Sequence, residues 1–104
     1  MTDTPAVQMT NLEAILRLSV DTADGQALGS LRHNNAVFIR ATLTRYFGSG
    51  PLANQAERVL MLRMADRARS YDQQENADRW FARYANVECD RLRNEAIHDR
   101  ANSD

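Results

Sequence analysis

The chain has 104 residues, a formal net charge of −1, a near-average charged fraction of 26% and a single cysteine. Those values suit one compact domain and argue against a generic polyanion binder, a wholly disordered chain or a disulfide-stapled fold. No apolar run reaches the ~20 residues that a membrane span requires, and the N-terminus lacks the basic start and apolar stretch of a signal peptide, so a cytoplasmic protein without membrane insertion is expected.

The charge is unevenly spread. All 13 basic residues are arginine. Residues 31–69 carry seven arginines against only Glu57 and Asp66, whereas the first thirty residues are acidic. Arginine is the better side chain for planar, bidentate contacts to phosphates, bases or carboxylates.

In chain order, residues 1–10 read as a disordered tail. Thr10-Asn11-Leu12-Glu13 is a capping box, in which the threonine hydroxyl and the glutamate carboxylate each take a backbone amide. A short helix follows to about Val20, with Leu12, Ile15, Leu16 and Leu18 as its apolar positions. Asp21–Gly25 breaks it, and Asp24 is placed to cap a second helix running to about Phe47, with Leu28, Leu31, Phe38, Ile39, Leu43 and Tyr46 at near-helical spacing. His33-Asn34-Asn35 interrupts that pattern with polar residues expected to face water. Gly48-Ser49-Gly50-Pro51 is the strongest punctuation, with Gly48 suited to a helix end and Pro51 to a helix start. A third helix is expected from Pro51 to about Arg69, burying Leu52, Ala56, Val59, Leu60 and Met64, with Met61 and Leu62 widening the stripe. Asn76 is placed to cap a fourth helix to about Asp99, after which residues 100–104 should fray. Strand-like alternation is absent. The expected fold is all-α, a compact bundle of one short and three longer helices over residues 11–99.

Chemistry-bearing patterns are missing. His33 and His98 lie far apart and have no companion ligands, Cys89 falls on an apolar helix face, and there is no glycine-rich phosphate loop. No catalytic residue, metal or cofactor is therefore expected, and the chain does not read as an enzyme. What remains is the fourth helix. Arg79, Arg83, Asn86, Asp90 and Arg93 share one polar stripe at about 100° per residue, while Phe81, Ala85, Cys89 and Leu92 lie opposite and Trp80, Tyr84 and Val87 lie on the flank. Tyr71 sits in the preceding loop. Arginines beside aromatics are suited to stacking unpaired bases, although the same pattern also describes a core helix with a solvated face.

The stretches LEAILRLSVDTADGQALGSL, ATLTRYFGSGPLANQAERVLMLRMADRARSYD and RWFARYANVECDRLR, in that order and spacing, resemble region 2 of the sigma-70 superfamily in its extracytoplasmic-function form. The resemblance covers about residues 11–98. It implies a sigma region 2-like transcription-initiation module that binds the clamp helices of RNA polymerase and recognises and melts the promoter minus-ten element. It further implies DNA contacts by Trp80, Asn86 and Arg93, to which the stripe and loop add Arg79, Arg83 and Tyr71. Asp90 would orient the neighbouring arginines. The sequence departs from the family where an acidic A-E-D-L-V-Q signature normally opens the helix facing polymerase, since Ala53-Asn54-Gln55-Ala56-Glu57-Arg58 stands there instead. No single polymerase contact is therefore assigned on the 53–69 helix. The spacing from Trp80 to Asn86 is one residue short of the family pattern, and the sequence stops where the linker to region 4 would begin. These departures motivate the second reading, a sigma-like protein-interaction module, an anti-sigma decoy or regulator without promoter opening, with an anti-sigma factor as a possible partner.

Overall fold

The computed structural model describes residues 9–102, with side chains through Ile97. Five α-helices form one bundle: α1 Asn11–Val20, α2 Gly25–Asn34, α3 Ala36–Phe47, α4 Pro51–Arg67 and α5 Ala77–Asn102, with a 3-10 turn at Ala68–Ser70. The described residues contain no strand. The all-α expectation holds, with one more helix than the periodicity gives.

Helix starts follow the local signals. Thr10 caps α1 by accepting from the Glu13 amide at 3.1 Å, and the Glu13 carboxylate accepts from the Thr10 amide at 2.9 Å. Asp24 caps α2 through the Ala27 amide at 3.0 Å and also pairs with Arg17 at 2.7 Å. Asn76 caps α5 through the Arg79 amide at 3.0 Å. The carboxyls of Glu13 and Asp24 are held below their ordinary values, in each case first by the backbone amide they accept. Their help to folding is complete above the ordinary carboxylate pKa and is lost as pH falls through the lowered folded values. Gly48 ends α3 at φ 77°, a left-handed conformation that strains any residue with a Cβ.

The tail expectation for 1–10 fails at its inner end. Met9 is buried, and Thr10 is the cap. Residues 1–8 lie outside the described residues. At the other end α5 runs on to Asn102 rather than stopping near Asp99, and residues 103–104 lie outside the described residues.

The single second helix also fails, and for a physical reason. At Asn35 the backbone leaves the helical region (φ −114°, ψ 18°) and α2 gives way to α3. Asn35 and Asn11 exchange side-chain amide bonds, at 2.9 Å from Asn35 to Asn11 and 3.4 Å in return. Asn35 also donates to the Leu31 carbonyl at 2.8 Å, and Asn34 donates to the Met9 carbonyl at 2.7 Å. The polar interruption is thus a bolt between the α2–α3 break and the start of α1. Asn11 extends it to α5 through a 2.7 Å bond to Asp78. Of the three residues expected to face water, Asn35 turns inward.

The core gathers Ile15 and Leu18 of α1, Leu31 of α2, Ile39 and Leu43 of α3, Leu60 and Met64 of α4, and Phe81, Ala85 and Cys89 of α5. Each large apolar side chain fully buried there contributes about 1.5–3 kcal/mol. Phe81 lies at its centre and meets Phe38 edge-on, with ring centroids 6.3 Å apart. On α4 the buried stripe keeps Ala56, Leu60, Met61 and Met64 of the expected one but shifts at its edges. Ala56, Leu60, Met61, Met64, Ala65 and, just beyond the helix, Ala68 are buried, whereas Leu52, Val59 and Leu62 are exposed, the last at 65%.

Replacing Asn35 by alanine removes the reciprocal amide pair without disturbing the apolar core. A loss of about 1–2 kcal/mol is expected in urea unfolding, and a change under about 0.3 kcal/mol would show that the amides do not hold the helix break.

Candidate functional site

The stripe on α5 exists, and its partners lie within the chain. Arg83 pairs with the Glu75 carboxylate and lies 4.7 Å over the Tyr84 ring. Asn86 accepts from Arg45 of α3 at 2.8 Å and donates to the Ala82 carbonyl at 2.9 Å. Arg93 donates to Asp90 at 3.1 Å and sits 4.9 Å over the Tyr46 ring. Arg79 is exposed and makes no ion pair among the described residues. Tyr71 is half-buried, and its hydroxyl donates to the Glu75 carbonyl. Burial, and then the negative charges of Glu75 and Asp72, hold that phenol above its ordinary pKa, so it stays a donor. Trp80 is only 2% exposed. Tyr71 meets it edge-on at 5.5 Å and Tyr84 covers it at 5.7 Å. Of the six residues singled out from the sequence, Tyr71 and Trp80 form an aromatic cluster with no open indole face, Arg83, Asn86 and Arg93 hold neighbouring elements, and Arg79 alone points to solvent without a partner.

A second cluster escaped the sequence reading. Glu88 of α5 is 3% exposed, the most deeply placed carboxylate among the described residues. It accepts from Arg67 Nε at 2.7 Å, with Arg63 and Arg91 guanidiniums at 3.5 Å. Arg63 then forks onto Glu95 at 2.7 and 3.1 Å, and that contact lowers the Glu95 carboxyl. Arg67 also lies 4.2 Å over the Tyr84 ring. The outcome is a continuous clasp of charge and aromatic surface between α4 and α5. Its trace in the sequence is a matched spacing: Arg63 and Arg67 on one helix, Glu88 and Glu95 at i and i+7 on the other, suited to an antiparallel pair. Next to it, the Cys89 thiol is pushed up to about 11 by burial, so it is a buried neutral group rather than a nucleophile.

The face formed by α2, α3 and α4 is different. Three adjoining depressions of about 390, 370 and 630 Å³ run along it and share residues. Arg40 and Glu57 line the first two, Arg32 and Glu57 the second and third, and Asn54 the first and third. Apolar side chains line its two ends, Leu43 and Ala53 at one and Leu28, Met61 and Leu62 at the other, with Gly29, Arg32, His33, Ala36, Arg40 and Glu57 between them; Leu43 and Met61 are buried, so Leu62 supplies most of the exposed apolar surface. Arg32 pairs with Glu57 while remaining 63% exposed. Arg40 and Arg58 are exposed and make no ion pair among the described residues.

No family model matches the chain, nor does any curated protein or any solved structure. The labels drawn from the resemblance, namely sigma factor, transcription regulation, DNA-binding, RNA polymerase binding and promoter recognition, are accordingly withdrawn: no match carries them, and the fold shown is a general all-α bundle. Among the described residues no cluster of His, Cys, Asp and Glu is arranged to hold a metal ion, and no helix is long and apolar enough to cross a membrane.

Glu88→Gln should cost about 3 kcal/mol in chemical unfolding, because the half-buried Arg63 and Arg67 lose the charge that holds them at a buried site, whereas Glu95→Gln, at the solvent end of the clasp, should cost under about 1 kcal/mol. Equal costs would show that burial does not set the worth of these pairs. The Cys89 thiol should be silent to a disulfide reagent at pH 8 in the native chain and react fully in denaturant; rapid native reaction would contradict its burial.

Proposed function

We propose that this chain is a non-catalytic protein-interaction module, acting by docking to another protein without covalent chemistry and without opening a promoter. One contrast carries the reading. The arginines and aromatics best suited by type to nucleic acid are engaged within the fold, as Trp80 between two tyrosines and Arg83 on Glu75. The α2–α3–α4 face, in contrast, leaves Leu62 exposed and Arg40 and Arg58 without an ion pair among the described residues.

Exposed apolar surface flanked by polar residues is the ordinary mark of a protein contact. An aromatic cluster already stacked on itself would have to open before a base could enter, at the expense of core contacts. Charge pairs inside the stripe would also have to break before its arginines met phosphates.

The chain, immobilised and exposed to nuclease-treated extract of its host, should retain a protein that free chain displaces and that, once purified, binds one-to-one by calorimetry. A labelled single-stranded oligonucleotide should show no saturable anisotropy change even at low salt, where phosphate contacts are strongest. Saturable oligonucleotide binding lost on Arg83→Ala, together with recovery of RNA polymerase, would overturn the proposal and return the chain to the reading its motifs invite.

A further inference from the structure

The α2–α3–α4 groove has a definite chemistry. Along α4 it runs from Pro51 to Leu62, a rise of about 16 Å, or about three helical turns. The three arginines at its edges, Arg32, Arg40 and Arg58, face one acid, Glu57. That acid is already taken by Arg32, and its side chain is only 17% exposed. The groove therefore carries more positive than negative charge, with Arg58 beside its apolar end at Leu28 and Leu62 and Arg40 farther along. Leu62, 65% exposed, stands at its rim without any cover.

We infer that this groove binds an amphipathic helix of a partner protein, one whose apolar residues lie on Leu28 and Leu62 and whose Asp or Glu residues meet Arg58 beside them and Arg40 farther along the groove. The inference rests on the protein-interaction reading above and names the partner's chemistry. A helix supplies apolar residues every three or four positions along one face, which matches a groove of this length. Carboxylates are the natural planar partners of exposed guanidiniums. Charge complementarity of this kind sets orientation and suppresses wrong partners.

A nucleic acid fits less well. No Phe, Tyr or Trp lines the groove, and His33 is its one ring, so it offers little platform for stacking successive bases, and Glu57 at its middle opposes a phosphate backbone. A second copy of the chain is left to the test, since α1 exposes Leu12 and Val20 and α5 exposes Val87 and Ile97 near Asp90 and Glu95.

The test is fluorescence anisotropy of the whole chain with a labelled designed peptide of about 15 residues, long enough to run the groove as a helix. Its leucines are spaced three and four apart and its other positions are glutamate-rich; a twin carries glutamine in place of every glutamate. The glutamate peptide should bind saturably and one-to-one, and the twin at least about tenfold more weakly. Arg40→Glu and Arg58→Glu should each weaken binding by about tenfold, and added salt should do the same. Leu62→Asn should weaken both peptides. All three substituted side chains are exposed, so the thermal melts should be unchanged. No saturable binding of the glutamate peptide, equal affinity for the twin, insensitivity to Arg40→Glu and Arg58→Glu, or concentration-dependent self-association abolished by Arg58→Glu would each overturn the assignment. If a natural partner binds with an affinity that Arg40→Glu and Arg58→Glu leave unchanged, the groove assignment falls and the interaction module stands. If neither peptide nor natural partner binds, both fall.

Discussion

The arrangement of this bundle turns on one buried carboxylate. Glu88 is withdrawn from water, and a lone buried carboxylate would cost several kcal/mol. It is tolerated because Arg67 binds it at 2.7 Å and two further guanidiniums stand at 3.5 Å. Those arginines come from both helices, so satisfying the charge fixes how α4 is rotated about its own axis against α5. With Arg63 and Arg67 turned toward α5, Val59 and Leu52 stay exposed, while Ala56, Leu60 and Met64 enter the core.

That rotation has a consequence on the opposite side. It leaves Leu62 uncovered and sets Arg58 beside the groove between α2 and α4. Arg40 of α3 reaches the same groove because the chain breaks at Asn35, where the amide pair with Asn11 redirects it. The groove's shape and sign therefore follow from two polar devices, the Glu88 clasp and the asparagine bolt, rather than from the apolar core alone. This division of labour agrees with a general expectation: apolar burial drives collapse without direction, while buried polar groups demand particular partners.

The stripe on α5 shows how a surface that looks like a binding face becomes a structural one. Its arginines project from one side of the helix, as the periodicity requires. Glu75 from the preceding loop, Tyr46 and Arg45 from α3 and Asp90 from the helix itself then meet the stripe's side chains. Exposed pairs of this kind are individually weak, about 0–1 kcal/mol. Collectively they order the loop and the α3–α5 seam, and they occupy the groups that a polyanion would otherwise engage.

What the sequence determined by itself is local. The capping box at Thr10, the caps at Asp24 and Asn76, the helix end at Gly48 and start at Pro51, and the core placement of Phe81 and Cys89 were legible because each depends on residues within a few positions along the chain. The helix break at Asn35 was not legible, since the amide that holds it comes from Asn11, twenty-four residues away. The buried face of α4 was legible at Ala56, Leu60, Met61 and Met64 but not in its limits, because Leu, Val and Met occur nearly all round that helix and periodicity alone does not separate Leu52, Val59 and Leu62 from the core. Trp80 was ambiguous on the flank of α5 until Tyr71 and Tyr84 closed over it. Only the tertiary structure decided which arginines are committed and which are free, because a guanidinium's partner is chosen by which helices lie side by side, and that neighbourhood is not encoded at any one position.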